Sequence, residues 1–551
     1  MPLEPYAGPF GTPQLRHLLR RSLFGCSNAD LAHFSGYSLE QTVQELLTFT
    51  NNTTPPIKTY WGLNGATPDP SLVDPDVPFG ATWINTIRDF EDADIATNRI
   101  ANLIFWRTGL FVEQERNLRE KLTLFWFNHM PNQAFEVFIP ELLYTYDQLL
   151  RDNCMGNFRE MMYGVSTSGA MLVYLNGYLN TVAAPDENFA REVMELFTLG
   201  EGSGYTEADV QAAARVLTGW SLLLQQGGQP IIPETTFYAV NHDTTDKTFS
   251  GFFNNTLIQG QTGPTAGPSE MNALLDMIFT KDEVSLSICR EIYRFFVHGE
   301  ITPTIEADVI VPLAELFRAN ASAPDQIRIV MHALLTSAHF YSVEVQACMI
   351  KSPVDLVVGA VRMLDMPLPT PAQFEAQYAA WRDVYYLVDY AGQNLFNPPN
   401  VAGWPAYYQY PQYDNLWMDT ATFPTRVNTL LGILYSGFIT DDVMYQPVSQ
   451  NLTHKVDFMA VVAQFSNPSD PNVLVSETVD LLYNVPISQS VKDQLKTNYL
   501  LLGQQSDIYW SDAYDLYAAD PNTTNMTAQL VPTILLWMYG EMAQAAEIHL
   551  H

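Results

Sequence analysis

Basic residues are scarce in this sequence. Its 551 residues include 27 Lys and Arg against 60 Asp and Glu, which gives a formal net charge of −33. Binding to nucleic-acid phosphates or to anionic membrane surfaces depends on clustered Lys and Arg. The charge therefore argues against both kinds of partner, and it also disfavours sulfated or uronic-acid polymers. Neutral glycans, peptides, cations and basic proteins stay open as ligands.

Charged residues of both signs are also few. They make up 16% of the chain, where about 25% is usual. The hydrophobic fraction of 47% and the mean hydropathy of −0.04 fit a globular protein whose surface is rich in neutral polar side chains. No apolar run reaches the ~18 residues that a membrane-spanning helix needs. The composition therefore predicts a protein without a membrane span, and the few lysines suit an exported one.

Cysteine is nearly absent. Cys26, Cys154, Cys289 and Cys348 are widely separated, and none forms a CxxC pair. Isolated cysteines in helix-like contexts are typical of small buried thiols rather than of a metal cluster. Their disulfide state stays open, because sequence alone cannot pair them.

Several motifs that mark common catalytic sites are missing. The chain has no GxSxG nucleophile motif, no phosphate-binding glycine loop, no dinucleotide fingerprint and no HxxH or HxxxH pair. Serine hydrolases of that type, nucleotide-dependent enzymes and helical zinc sites are therefore not supported. We predict no cofactor and no metal site.

The most informative stretch, residues 188–220, predicts two capped helices. Asp186 is a candidate N-cap of the first helix, and Gly200 stands where a C′ glycine would end it. Thr206 and Asp209 open the second helix with a capping-box pattern.

A polar stripe runs along this predicted helix pair. Arg191, Glu192 and Glu195 share one face of the first helix, and Arg215 lies on the second. Two carboxylates at this spacing couple their titrations and could act as a catalytic pair. Either arginine would then hold a partly charged substrate, with Trp220 as a wall of the site.

We favour a structural role of the same stripe over the catalytic one. Buried charges need partners, so Glu192 and Glu195 would join an ion-pair network with Arg215, Arg20 or Arg21. We expect Arg20 or Arg21 to contact one of the two glutamates.

A second polar motif, HDTTDK at 242–247, falls in a non-helical segment. His242 and Asp243 could act as acid and base, with Lys247 as a binding residue. The alternative is that His242 and Asp243 are hydrogen-bonding residues that fix the loop. His129 is the only other motif-embedded histidine, which is too few for a metal site.

The loop motif NPPNVAGWP at 397–405 is followed by an aromatic run. Its prolines and glycine predict a rigid, irregular loop. Aromatic rings with polar tips suit both sugar stacking and protein interfaces. The candidate binding residues of this loop are Asn400, Trp404, Tyr407, Tyr408 and Tyr410. A coil pinned to the helices by its aromatics is the alternative.

The chain resembles a bacterial family of unknown function, DUF1800. The matching segments include AREVMELFTLG at 190–200, AAARVLTGW at 212–220, FNPPNVAGWP at 396–405, HLLRRSLFG at 17–25 and KSPVDLVVGAVRML at 351–364. The resemblance implies an exported helical protein, often encoded beside a sulfatase-like partner, for which no reaction is established. It favours a periplasmic or extracellular location, although Met1-Pro2-Leu3-Glu4 is not a signal peptide and an intracellular location stays open.

Hydrophobic periodicity predicts the fold class. We expect an all-α, multi-helix protein with a small β-hairpin insertion and long ordered loops. The predicted regions are 1–222, the insertion 223–268, 269–430 with the aromatic loop at its end, and 431–551. A proline-rich stretch at 51–80 predicts a long loop or flap.

Two classes of function compete. The first is a binding protein that holds a glycan or the sulfatase-like partner protein through the aromatic loop surface. The alternative is a polysaccharide-directed hydrolase or lyase in which Glu192 and Glu195 work with His242 and Asp243, at a separation of about one water-bridged hydrogen bond. A scaffold of a surface assembly is a further alternative.

Overall fold

The computed structural model describes residues 3–50, 53–59, 61–62, 65–66, 73–440 and 452–551. The helices before the insertion are α1 (Thr12–Ser22), α2 (Asn28–Phe34), α3 (Leu39–Leu46), α4 (Ala93–Val112), α5 (Arg119–His129), α6 (Ala134–Val137), α7 (Pro140–Asn153), α8 (Phe158–Ser166), α9 (Gly169–Tyr174), α10 (Glu187–Met194) and α11 (Glu207–Val216). The helices after it are α12 (Ala266–Ile278), α13 (Asp282–Phe296), α14 (Pro303–Ile305), α15 (Val311–Ala319), α16 (Gln326–Leu335), α17 (Pro353–Met363), α18 (Phe374–Tyr390), α19 (Thr422–Tyr435), α20 (Phe458–Val462), α21 (Pro471–Leu482), α22 (Gln489–Leu495), α23 (Ile508–Ala519), α24 (Met526–Gln529) and α25 (Val531–Met542).

The described strands form only two-stranded antiparallel sheets. They are β1 (Trp61–Gly62) with β2 (Gly65–Ala66), β3 (Trp220–Gln226) with β4 (Gln229–Phe237), β5 (Lys247–Thr248) with β6 (Leu257–Ile258), and β7 (Phe438–Thr440) with β8 (Leu452–His454). The predicted all-α class with a small hairpin insertion is therefore confirmed. Part of the predicted 51–80 loop lies outside the described residues.

The β3–β4 hairpin turns at two glycines. Gly227 and Gly228 have φ values of 60° and 78°, as a two-residue type I′ turn requires. The hairpin starts at Trp220, because Gly219, with a φ of 92°, ends the helical segment that precedes it.

The buried apolar side chains form one continuous cluster that extends from Leu15 to Ile548. Helices α4 and α18 cross closely within it. A Cβ added at Gly109 would lie 2.4 Å from the ring of Trp381. The two helices approach this closely because glycine carries no side chain.

The predicted helix ends of the 188–220 pair are confirmed. The side chain of Asp186 accepts a hydrogen bond from the backbone N–H of Asn188 at 2.8 Å. Thr206 and Asp209 form the capping box, and Gly200 takes a φ of 85° after the helix.

The prediction that Arg20 or Arg21 contacts Glu192 or Glu195 is wrong. Arg20 donates hydrogen bonds of 2.7–2.9 Å to backbone carbonyl oxygens at the C-terminal end of α21 and just beyond it. Arg21 donates to a carbonyl oxygen ahead of α17 at 3.1 Å. The C-terminal end of a helix carries unpaired carbonyls and a partial negative charge. The carbonyls at such an end bind the two Nη atoms of the buried Arg20 guanidinium without a carboxylate.

Across the described residues, no helix combines the length and the hydropathy that crossing a bilayer requires.

Candidate functional site

The centre of the candidate site is a π-helical turn. Helix α10 continues into the turn Glu195–Leu199, which is closed by a hydrogen bond of 2.9 Å from the N–H of Gly200 to the carbonyl of Glu195. The carbonyl oxygen of Phe197 within this turn bonds to Nε2 of His129 at 3.1 Å. Single π turns occur frequently at functional sites. Here the turn ties the 188–220 motif to the end of α5.

A cavity of about 560 Å³ lies beside this turn. We call it the signature cavity. Its walls are the π turn, α13, the end of α5 and the aromatic loop. Its lining residues are Asn128, His129, Glu195, Leu196, Leu199, Gly200, Glu201, Ser203, Glu283, Leu286, Ser287, Arg290, Glu291, Arg294, Ala402 and Tyr408. The cavity thus brings together Glu195 and Tyr408, which the sequence places in separate motifs.

The aromatic loop (397–417) is held against the end of α5 and the segment after it by hydrogen bonds between side chains and backbone. The side-chain oxygen of Asn128 accepts a hydrogen bond from the N–H of Trp404 at 2.9 Å. Gly403 has a φ of 85°, and a Cβ there would lie 2.4 Å from the carbonyl oxygen of Asn128. Gln133 donates to the carbonyl of Pro398 at 2.7 Å. The loop therefore has a fixed position relative to the cavity.

Two of the predicted loop aromatics belong to the core. Trp404 and Tyr407 are only 3% and 7% exposed. The ring of Tyr407 stacks on Phe295 at a centroid distance of 4.9 Å and meets Trp417 edge-on. These two residues can influence a ligand only through the position of the loop.

The other predicted loop residues reach the surface. Tyr410 is 78% exposed, while Tyr408 is half-buried and lines the cavity. The side-chain amide of Asn400 donates to the hydroxyl of Tyr408 at 3.2 Å. Tyr408 therefore presents a ring that is oriented by a neighbouring side chain.

The arginines of the cavity wall already have carboxylate partners. Arg290 binds both carboxylate oxygens of Glu306 at 2.5–3.2 Å. Arg294 donates to Glu291 at 2.6 Å, and burial raises the pKa of the Glu291 carboxyl. Acidic residues outnumber basic ones in the lining. The cavity is polar and has no uncompensated cation in its lining with which to attract an anion.

Glu192 and Glu195 have different surroundings. Burial, followed by the charge of Glu195, raises the pKa of Glu192 to about 7. Glu195 accepts a short hydrogen bond from the hydroxyl of Tyr205, and Glu192 is not part of the cavity lining. Arg191 contacts Glu207 at 2.6 Å, across the turn on the second helix. Arg191 thus forms an exposed ion pair and does not line the cavity.

His242 is placed in a different cluster. Its Nδ1 lies 2.9 Å from the carbonyl oxygen of Thr218, and its Nε2 lies 3.1 Å from Glu270. Lys247 donates to the same carboxylate at 2.5 Å. All of these side chains are buried, and none lines the signature cavity. The structure therefore does not bring His242 into contact with the two glutamates.

Asp243 adjoins this cluster and pairs with Arg215 at 2.7 Å. Burial alone would raise the pKa of Asp243, but hydrogen bonds from Arg215 and Thr245 hold this pKa well below its usual range. Trp220 is 8% exposed and packs on Phe237 at 5.5 Å. These residues fix the start of the insertion.

The four cysteines are free thiols. Burial raises the pKa of Cys26 and of Cys154 to about 12. Both thiols are therefore protonated and unreactive at neutral pH. In the part of the chain that the structure describes, no three His, Cys, Asp or Glu side chains are grouped as a metal ion would need.

Sequence reasoning missed the contribution of α13. Glu291 and Arg294 lie three positions apart on this helix and face the π turn. Their spacing is visible in the sequence, but ion pairs at this spacing are common on any helix surface. Only their tertiary contact with the π turn distinguishes this ion pair from the ion pairs on other helix surfaces.

These features define an all-α protein whose polar cavity is built from segments distant in sequence. The chain belongs to the family described as Protein of unknown function (DUF1800), which matches residues 17–522. Comparisons with curated proteins and with solved structures gave no match. The family membership confirms the resemblance seen in the motifs, and it fixes neither a reaction nor a ligand.

Proposed function

We propose that this chain is a binding protein that holds a neutral glycan segment in the signature cavity. The observation that carries the proposal is that Glu195 and Tyr408, from motifs far apart in the sequence, line one polar cavity of about 560 Å³. That volume lies in the range of roughly 300–1,000 Å³ that is typical of ligand sites.

The chemistry of the lining supports a sugar. An aromatic ring with a fixed orientation offers a flat apolar surface to the C–H face of a sugar. Carboxylates, serines and arginine N–H groups around it can exchange hydrogen bonds with hydroxyls of either polarity. The paired arginines and the net charge of −33 disfavour sulfated and uronic-acid chains.

The proposal includes a periplasmic or extracellular location. The low content of charged residues, 16%, and the small number of lysines support it. A protein partner of the sulfatase-like kind would use the exposed part of the aromatic loop, where Tyr410 is 78% exposed. Fractionation of cells that express the native gene tests the location.

The test compares two cavity variants with a matched control. Tyr408→Ala and Glu195→Gln should each weaken binding of a neutral oligosaccharide by at least about tenfold, which is ~1.4 kcal/mol. Tyr390→Ala removes a tyrosine that is 66% exposed and is not part of the cavity lining, so it should leave the affinity unchanged. A neutral and sulfated glycan array supplies the ligand, and calorimetry measures the affinity.

If sulfated glycans bind better than neutral ones, or if Tyr408→Ala binds like the control, the proposal fails. Tyr410→Ala measures whether the binding surface continues along the loop toward a partner protein.

Glu192 favours a second candidate, a polysaccharide hydrolase or lyase. A carboxyl with a pKa of about 7 is partly protonated at neutral pH and can donate a proton. Bond cleavage in neutral polysaccharides, measured as new reducing ends, should then be lost in both Glu192→Gln and Glu195→Gln. Release of reducing ends at the wild-type rate by Glu192→Gln would rule this candidate out.

A further inference from the structure

A second cavity of about 440 Å³ lies between α4, the segment that follows it and α18. We call it the aromatic chamber. Its lining includes the side chains of Trp106, Leu110, Glu113, Glu115, Tyr378 and Trp381. It shares no residue with the lining of the signature cavity.

Aromatic rings form much of the chamber wall, and the polar atoms of Trp106 and Tyr378 already have hydrogen-bond partners, whereas the indole nitrogen of Trp381 has none among the described residues. Trp106 donates its indole N–H to the carbonyl of Thr54 at 2.7 Å. The hydroxyl of Tyr378 accepts a hydrogen bond from the N–H of Ile57 at 3.1 Å. Trp381 adds a third ring. Since their polar atoms are satisfied, Trp106 and Tyr378 offer the chamber mainly ring surface.

The arginines that line the chamber are neutralised by carboxylates. Arg151 donates to Glu120 at 2.6 Å, and Arg119 donates to Asp152 at 3.0 Å. These pairs leave little net positive charge to attract an anion.

Two other carboxylates in the lining, those of Glu113 and Glu115, are not paired with a cationic side chain of the described residues. Glu113 accepts a hydrogen bond from the amide of Gln377 at 2.8 Å, and Glu115 accepts one from Asn117 at 3.1 Å. No Lys, Arg or His side chain of the described residues forms an ion pair with either carboxylate. Although Glu113 is exposed, the protein around it removes enough water to raise the pKa of its carboxyl.

The same two glutamates also line a neighbouring cavity of about 850 Å³. They therefore stand at the junction between the aromatic chamber and an outer, polar space. The arginine side chains that line this outer cavity also have bonding partners. Arg116 pairs with Asp30 at 2.9 Å, and Arg362 donates to two backbone carbonyls at 2.9 Å.

We propose that the aromatic chamber binds an organic cation, with a flat apolar body among the rings and an ammonium group at Glu113 and Glu115. The rings attract the apolar body by burial and the cation by their quadrupole. The two carboxylates, which are exposed at the mouth of the chamber, provide the charge that the ammonium needs. The inference is independent of the glycan proposal, because the two cavities share no lining residue.

Three probes that differ only at the end of one side chain test the proposal. Tryptamine carries an ammonium group, tryptophol a hydroxyl and indole-3-acetate a carboxylate on the same indole ring. By calorimetry, tryptamine should bind at least tenfold more tightly than either of the other two. Its affinity should fall as salt is added, because the attraction between charges is screened.

Glu113→Gln should weaken tryptamine binding about tenfold and leave tryptophol binding unchanged. Glu234→Gln removes an equal charge from an exposed position on β4 and is the matched control. Leu110→Trp, which fills the chamber, should abolish binding of tryptamine. Thermal unfolding without ligand checks that each variant is folded.

The proposal is overturned if tryptophol binds as tightly as tryptamine, if Glu113→Gln keeps the wild-type affinity, or if none of the probes binds. The glycan variants Tyr408→Ala and Glu195→Gln should not change tryptamine binding. Failure at one cavity is therefore distinguishable from failure at the other.

Discussion

Tyr407 and Tyr408 are adjacent residues with opposite environments. Tyr407 stacks on Phe295 in the core, while Tyr408 lines the signature cavity. We expect Tyr407→Ala to lower the free energy of unfolding by ~3–5 kcal/mol, the usual cost of truncating a buried aromatic side chain. Tyr408→Ala should cost less than ~1 kcal/mol. Urea unfolding of the two variants measures the difference, and equal losses would contradict this placement.

A residue-scale prediction concerns the pKa of Glu192. Its value of about 7 in the folded protein exceeds the value of about 4.3 expected in the unfolded chain. The folded state then binds more protons between these values, so this group costs stability as pH rises from about 4.3 through 7. Glu192→Gln should therefore stabilise the protein at pH 8, by ~1 kcal/mol after allowance for solvent screening. The gain should shrink toward pH 4, and Glu234→Gln is the control.

At the scale of single elements, the loop 397–405 depends on Gly403. Gly403→Ala would place a Cβ 2.4 Å from the carbonyl oxygen of Asn128, at a φ of 85°. We expect a loss of ~2 kcal/mol or more from the left-handed conformation and the clash together. Gly392 has a φ of 106°, and a Cβ there would have no neighbour within 4 Å. Gly392→Ala thus measures the cost of the left-handed conformation alone. An equal loss of stability in both variants would show that the structure relieves the clash at Gly403, which would contradict the prediction.

Short-range rules predicted the elements better than they predicted the site. The caps at Asp186 and Thr206 follow from a few neighbouring residues, and the structure has both. The carbonyl partners of Arg20 come from the end of α21 and the residue after it, more than 450 positions away, and no local pattern specifies them. The same is true of His242, whose partner Glu270 lies on α12. Local spacing identifies a polar residue, but the tertiary fold chooses its partner.

The aromatic loop illustrates a second limit. Its composition indicated an ordered, aromatic surface. In irregular backbone, however, buried and exposed side chains do not alternate with a fixed period, so the sequence does not show which rings are buried. Tyr407 and Tyr408 therefore could not be distinguished from sequence. The aromatic chamber was missed for a similar reason, because Trp106 and Trp381 come from α4 and α18 and look like ordinary core residues.

At the scale of the whole molecule, buried histidines set the response to acid. Burial is the largest cause that lowers the pKa of His17 to about 3 and that of His129 to about 4. The unfolded chain protonates these rings near pH 6.5, so stability is lost as pH falls below 6.5. The expected loss is ~2 kcal/mol for each such histidine between pH 6.5 and 5. Urea unfolding at several pH values should show a shallower dependence for His17→Gln, and an unchanged slope would contradict the assignment.

The walls of the signature cavity come from residues 128–129, 195–203, 283–294 and 402–408. A proteolytic fragment that lacks any one of these segments loses a wall. A ligand in this cavity therefore cross-links four parts of the chain without a covalent bond, and at one hundred times its Kd it would add ~2.7 kcal/mol to the free energy of unfolding. Ligand binding should therefore slow amide hydrogen exchange in all four segments together. Binding would then require, and indicate, that all four segments are folded.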